Sequence, residues 1–216
     1  MQKKIIAVNG TIGSGKDTFS SVFVANDWMR MSFANNLKDA VACIFGWDRE
    51  MLEGNTAESR TWRNEADQYW SECFGHPVTP RWVLQNFGTD VVREYMLDSM
   101  WIMSLKKELL SCTSPVIITD CRFPNEIKMV RSMGGIIVEV QRELPEWYEE
   151  AAEMNIVLQN DSTAMKEQYK KFSDKHNVHP SEFAWVGINN ADYVVHNIST
   201  LSSLYDNALN IMKQIS

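Results

Sequence analysis

The chain has 216 residues, 44% of them hydrophobic and 23% charged, ordinary globular values that exclude a disordered, collagenous or coiled-coil chain. Lys and Arg number 21 against 28 Asp and Glu, a net charge of −7. That balance argues against a polynucleotide partner, because such binding rests on neutralising phosphates.

Taken in chain order, Ile5-Ile6-Ala7-Val8 is a continuous apolar run, the pattern of a strand covered on both faces. Residues 9–15 are glycine-rich, and helical composition resumes at Lys16. Met31-Ser32-Phe33 reads as a second short strand, and Leu37, Val41 and Ile44 recur at helical spacing over 35–45. Val116-Ile117-Ile118-Thr119-Asp120 is a strong strand ending in an acid. Pro124 suits a first helical turn, with Ile127, Val130 and Met133 on one face until Gly134-Gly135 stops the helix. Ile136-Ile137-Val138-Glu139-Val140 and Asp192-Tyr193-Val194-Val195 are further strands, and Leu201, Leu204, Ala208, Ile211 and Ile215 stripe a closing helix. Strands alternating with helices give the fold class: α/β, a mostly parallel sheet of about five strands flanked by helices, in a single domain spanning 1–216. Two helical insertions interrupt it, at about 48–81 and 143–190, and long insertions in such a fold are often lids or binding elements.

Cys43, Cys73, Cys112 and Cys121 contain no C-x-x-C pair. Reduced, buried thiols are expected over two disulfides, since a chain of this length can build a core without them. The apolar run near the start is too short for a signal segment, and no 18 apolar residues run together. No membrane partner and a cytoplasmic location are expected.

The strongest chemical signal is Gly10-Thr11-Ile12-Gly13-Ser14-Gly15-Lys16-Asp17-Thr18, which fits G-x-x-x-x-G-K between a strand and a helix. Glycines let successive backbone N–H groups approach phosphate oxygens, the following helix adds its N-terminal partial charge, and Lys16 adds a full one. The hydroxyl that commonly follows the lysine is displaced: Asp17 stands there and Thr18 comes next. Asp17 either holds a metal through water or caps the helix, and Thr18 is suited to a phosphate. The D-x-x-G and N-K-x-D motifs of GTPases are absent from the sequence, which leaves proteins that move phosphate between molecules.

Phosphoryl transfer needs cations around donor and acceptor. Lys16, Lys38, Arg60, Arg63, Arg81, Arg93, Arg122 and Arg142 are the candidates. Arg122 stands out, two residues past Asp120 where ligands of parallel sheets gather. Asp120 either serves Mg²⁺ and the acceptor phosphate or N-caps the Pro124 helix.

These residues carry a resemblance. The loop with its G-K-D-T ending, Phe33-Ala34-x-x-Leu37-Lys38-Asp39-Ala40, Leu84-Gln85-x-Phe87-Gly88-Thr89-Asp90, Trp101 and Asp120-x-Arg122-Phe123-Pro124-Asn125-Glu126 resemble phage deoxynucleoside monophosphate kinases. So do Gly134-Gly135-x-Ile137-x-x-Val140-x-Arg142 and Asp192-Tyr193-Val194-Val195-x-Asn197. The resemblance implies transfer of the γ-phosphate of ATP, with Mg²⁺, to a deoxynucleoside 5′-monophosphate. It implies ATP contacts from Gly10, Ile12, Gly13, Ser14, Gly15, Lys16, Asp17 and Thr18, with Asp17 as a metal candidate. Monophosphate contacts would come from Lys38, Arg81, Gly88, Thr89, Trp101 and Asp120, joined by Arg63 from the first insertion. Arg122 and Arg142, with Lys16, would stabilise the transferring group. Trp101 reads equally well as a core tryptophan on a helix. His179-x-Ser181-Glu182 also matches the family but receives no role. A homodimer, and host cytoplasm for a phage-encoded chain, are further implications. The rivals are a kinase resembling dephospho-coenzyme A kinase and a non-catalytic nucleotide-binding module.

Overall fold

The computed structural model describes residues 4–158 and 162–215; residues 1–3, 159–161 and 216, which include part of the leading segment and of the second insertion, lie outside them. In chain order, β1 (Ile5–Asn9) leads through the glycine-rich loop into α1 (Lys16–Val24), β2 (Met29–Met31) and α2 (Asn35–Phe45). A 3₁₀ turn (Met51–Glu53), α3 (Ala57–Trp62), α4 (Gln68–Phe74), α5 (Pro80–Gln85), a π-helical stretch (Asn86–Met96) and α6 (Met100–Ser111) follow. The chain then returns to β3 (Val116–Ile118), α7 (Pro124–Ser132) and β4 (Ile136–Gln141). It continues with α8 (Tyr148–Leu158), α9 (Ser162–His176), α10 (Pro180–Phe183), β5 (Tyr193–His196) and α11 (Leu201–Gln214). These residues form two compact units: Phe33–Leu110, and the segments on either side of it.

The flanking unit holds the sheet, ordered β2-β3-β1-β4-β5. Every adjacent pair is parallel, with Ile6 level with both Ile117 and Ile136. β1 is thus central, and the chain runs to one side of it before crossing to the other at β4. The C-terminal end of β1 is therefore the switch point, where open parallel sheets bind ligands. Its five residues are all buried, Ile5 to Val8 as their apolar run requires and Asn9 with its amide donating to Cys121 O. Phe19 and Phe23 of α1 and Leu204, Ala208 and Ile211 of α11 cover Ile6, Val8, Val138 and Val140 in one core.

The second unit is helical. Leu37, Val41, Trp47, Leu52, Val78, Val83 and Leu84 form its core, with Trp62, Trp70, Trp82 and Trp101 packed around it. Short helices survive here because their ends are capped: Thr56 accepts from Ser59 N–H, Asp67 from Trp70 N–H and Thr79 from Trp82 N–H, with Pro80 in the first turn of α5.

Several expectations are corrected. β2 starts two residues early, because Met29, Arg30 and Met31 pair with Val116, Ile117 and Ile118, while Ser32 turns its hydroxyl to Asp120. β3 stops at Ile118, so Asp120 lies in a loop. Ile44 is exposed; the last turn of α2 packs instead through Phe45, which contacts Trp47 and Trp70. None of the cysteines is bridged, but Cys43 and Cys73 are exposed and only Cys121 is buried. No helix of the described residues is long and apolar enough to cross a membrane.

The helices of the second insertion share a polar lock. Asn155, fully buried, donates to Phe183 O at 2.7 Å and Val186 O at 2.9 Å and accepts from the Tyr169 hydroxyl at 2.8 Å. An Asn155→Ala substitution takes the side-chain donor from the Val186 carbonyl and the acceptor from the Tyr169 hydroxyl, while Phe183 O keeps its bond from Val186 N–H, and should lower stability by roughly 1–3 kcal/mol. Urea unfolding checks this; a loss under about 0.5 kcal/mol, the scatter of surface substitutions, would show that the lock carries no weight.

Candidate functional site

The loop leaving β1 is shaped by its glycines. Gly10, Gly13 and Gly15 have φ of 152°, 80° and 99°, a region that side chains disfavour. A Cβ on Gly10 would lie 2.5 Å from Val140 O, and one on Gly15 would lie 2.5 Å from Asn197 Nδ2. Asn197, just past β5, donates from Nδ2 to Ser14 O at 2.9 Å, tying the loop to the far end of the chain. Gly15 precedes α1 with no side-chain cap, so the first amides of α1 are open to an anion. The Ser14 hydroxyl is buried without a hydrogen-bond partner, a donor that a phosphate oxygen would satisfy. Ile12 is exposed at the loop tip. Asp17 is exposed in the first turn of α1 and does not cap it; Thr18 follows on the same turn.

Lys16 folds back on the loop, donating from Nζ to Gly10 O at 2.7 Å and Thr11 O at 2.8 Å. Burial first, and the nearby Arg122 charge second, push its amine down to about 8, against the pull of Glu182 and Asp17.

The loop after β3 brings Asp120 and Arg122 into the same unit. Asp120 accepts from Ser32 Oγ at 2.6 Å. It does not cap α7: Phe123 holds that position, and Glu126 reaches back to accept from the N–H groups of Arg122 at 2.6 Å and Phe123 at 3.0 Å. The Arg122 guanidinium pairs through Nη1 with Glu182 of α10. Arg142, immediately after β4, is exposed and has no ion-pair partner among the described residues.

The other expected site residues belong to the helical unit. Lys38 donates to Glu53 at 2.8 Å, and Arg49 holds the second carboxylate oxygen. Burial opposes ionisation of Glu53, but these two cations hold its carboxyl down at about 2. Arg63 donates to Glu53 O at 3.3 Å and lies against Gly54, where a Cβ would meet its Nη1 at 2.1 Å. Arg81 N–H donates to Arg63 O at 2.9 Å, and the Arg81 Nε is buried without a partner. Lys38 and Arg63 are therefore brought to Glu53, with Arg81 tied to Arg63 through the backbone, while Arg60 is exposed and donates to Asn55 O. Arg93 is buried and donates to Asp98 O at 3.0 Å. Gly88 and Thr89 lie in the π-helical stretch. Gly88 meets Leu37, and Trp101 Nε1–H donates to Gly88 O at 2.8 Å. The Trp101 indole N–H is thus spent internally, and the ring packs on the core of this unit.

Asn197, Ser32, Glu53, Glu126 and Glu182 are the residues that motif reading left without roles. Their signal was present for Asn197, Glu126 and Glu182, which stand inside the strings that carry the family resemblance; Ser32 and Glu53 stand in none.

Comparison with known proteins identifies the family. A family model described as deoxynucleotide monophosphate kinase matches residues 75–163. A candidate deoxynucleotide monophosphate kinase of Acanthamoeba polyphaga mimivirus is 30% identical over 154 residues, covering 64% of this chain and 74% of that protein. The deoxynucleoside-5′-monophosphate kinase of Escherichia phage T5 is 24% identical over 194 residues, covering 63% and 77%. Among solved structures, dephospho-CoA kinase from Campylobacter jejuni is 14% identical and aligns over 100% of this chain and 99% of its own. Its TM-score of 0.39 is too low to bear on activity.

The lowered Lys16 amine has a consequence for anion binding. Above pH 8 the free chain holds Lys16 mostly neutral, and a polyphosphate beside it restores the charge. Titration of ATP at pH 9 should therefore take up a proton, and at pH 6.5 none from this group. Calorimetry in two buffers of different ionisation heat checks this; equal proton uptake at both pH values would place Lys16 away from the phosphates.

Proposed function

Because the chain belongs to the deoxynucleotide monophosphate kinase family, we propose that it transfers the γ-phosphate of ATP to a deoxynucleoside 5′-monophosphate, yielding ADP and the deoxynucleoside diphosphate. The glycine-built loop with its buried, unpartnered Ser14 hydroxyl carries this reading. Gly10, Ile12, Gly13, Ser14, Gly15, Lys16 and Thr18 are assigned to ATP. Lys16 leaves the carbonyls of Gly10 and Thr11 to meet the β- and γ-phosphates, and the α1 amides take the remaining oxygens. Arg122 offsets charge that spreads over the transferring group, and Arg142 is assigned to the same task.

Mg²⁺ is implied by the chemistry, and the donors present suit it. Asp17, Thr18 and Asp120 are hard oxygen ligands, and this ion keeps several waters while binding through one or two carboxylates and the phosphates. Asp120 or Asp17 would hold it through water, and the bound ion would neutralise phosphate charge. Asp120 is also assigned to the acceptor.

The acceptor monophosphate is assigned to Lys38 and Arg63, which meet Glu53, and to Arg81, whose backbone N–H donates to Arg63 O. Arg81, with a buried Nε and no partner for it, is the cation best suited to take a new anion. Gly88 and Thr89 supply backbone and hydroxyl groups, and Trp101 an aromatic face. No general base is needed, since a phosphate acceptor is already ionised near neutral pH; position and charge supply the acceleration.

The test is ADP release from ATP-Mg²⁺ with a panel of deoxy- and ribonucleoside monophosphates, repeated with Arg81→Ala. Turnover is expected with at least one deoxynucleotide. The variant should raise the KM for that deoxynucleotide about 10- to 150-fold, the worth of one charge-assisted hydrogen bond, with the KM for ATP little changed. No ADP with any acceptor would remove the proposal. A raised KM for ATP alone would move Arg81 to the donor.

A further inference from the structure

The segment around His179, Ser181 and Glu182 takes no part in the reading above, yet it is built as a mount. His179 N-caps α10, its Nδ1 accepting from Ser181 N–H at 3.2 Å and lying 2.9 Å from Ser181 Oγ. On the other side of Glu182, the carbonyls of Phe183 and Val186 are held by the buried Asn155. Glu182 therefore projects from backbone fixed before and after it, and its carboxylate meets Arg122 Nη1. The same arginine is fixed at its root, where its backbone N–H donates to Glu126. A guanidinium has five N–H donors on a flexible stem. Among the described residues Glu182 is the only side chain that Arg122 pairs with, so most of that fork is still available to a ligand.

We propose that Glu182 positions Arg122 for phosphoryl transfer, an inference that rests on the kinase reading. A lone arginine would be ordered anew each time a transition state formed. Held at its root by Glu126 and at its tip by Glu182, Arg122 is already ordered before substrate arrives, which is the condition for preorganised electrostatic stabilisation. The neighbourhood agrees: Arg122 and Glu182 both act electrostatically on Lys16 of the phosphate loop, and Asp120 lies close enough to act on Arg122. Glu182 touches no reacting atom in this account. It acts through the arginine.

The experiment is steady-state kinetics of deoxynucleotide phosphorylation by Glu182→Gln, Arg122→Lys and the double variant, with melting temperatures of each. Glu182→Gln should lower kcat about 10- to 100-fold, the cost of a misplaced catalytic group, with both KM values within about threefold and an unchanged melting temperature. In the Arg122→Lys background the same change should cost less than about twofold, because the group it orients is gone. His179→Ala, which loosens the mount, should lower kcat in the same manner by a smaller factor, and it carries the test should Glu182→Gln not fold. A kcat within twofold of wild type for Glu182→Gln overturns the proposal. So does an equal loss with and without Arg122, or a raised KM for ATP with kcat kept. Absence of wild-type turnover with every deoxynucleotide overturns the kinase reading and the proposal together, an outcome seen before any variant is compared.

Discussion

The backbone of the loop between β1 and α1 is the constraint from which the chemistry follows. Three glycines with positive φ set its path, and at two of them a methyl group would collide with Val140 O or Asn197. The Asn197–Ser14 bond spans 183 residues, so the loop takes its final shape only when β5 has joined the sheet. A local motif is thereby made to depend on long-range folding. The central place of β1, paired on both sides, keeps the root of the loop fixed.

Charge is arranged by the same logic within each unit. The chain is acidic overall, yet its cations are tied to internal acceptors: Lys16 to loop carbonyls, Arg122 to Glu182, Lys38 and Arg49 to Glu53. Such pairs add modest stability where they are exposed. Their larger effect is to order long, flexible side chains before a ligand arrives, which lowers the entropy lost on binding. Arg81 differs, for its Nε is buried and no partner has been supplied for it. A buried donor left unpaired is costly, and the acceptor phosphate is the group proposed to satisfy it.

Much of the sheet was legible in the sequence because strands buried on both faces leave unbroken apolar runs, as at Ile5-Ile6-Ala7-Val8 and Val116-Ile117-Ile118. β2 was placed two residues late because Met29 and Arg30, both exposed, carry no such signal; their pairing with Val116 and Ile117 decides the matter. The phosphate loop was legible because its glycines answer a backbone requirement that few other residues meet. The cap of α7 was not. Asp120 stood near the expected place, but the bonds are made by Glu126 reaching backward from the first turn, a choice that depends on three-dimensional reach. Glu53 was opaque because it stands in no motif, and its pairing with Lys38, 15 residues away, depends on the fold. Asn197 stands in a string that matches the family, but nothing local announces its bond to Ser14, 183 residues away.

The most direct measurement is the affinity for ATP of Gly15→Ala, read by calorimetric titration beside wild type, with thermal unfolding as control. The added methyl would strike Asn197 Nδ2 at a φ of 99°, breaking the clamp and straining the loop while leaving the sheet intact. The expected result is cooperative unfolding like that of wild type with ATP affinity lower by about 100-fold or more, the worth of one or two charge-assisted hydrogen bonds. Wild-type affinity in a folded Gly15→Ala chain would contradict the account, for the polyphosphate would then be bound without the loop geometry described.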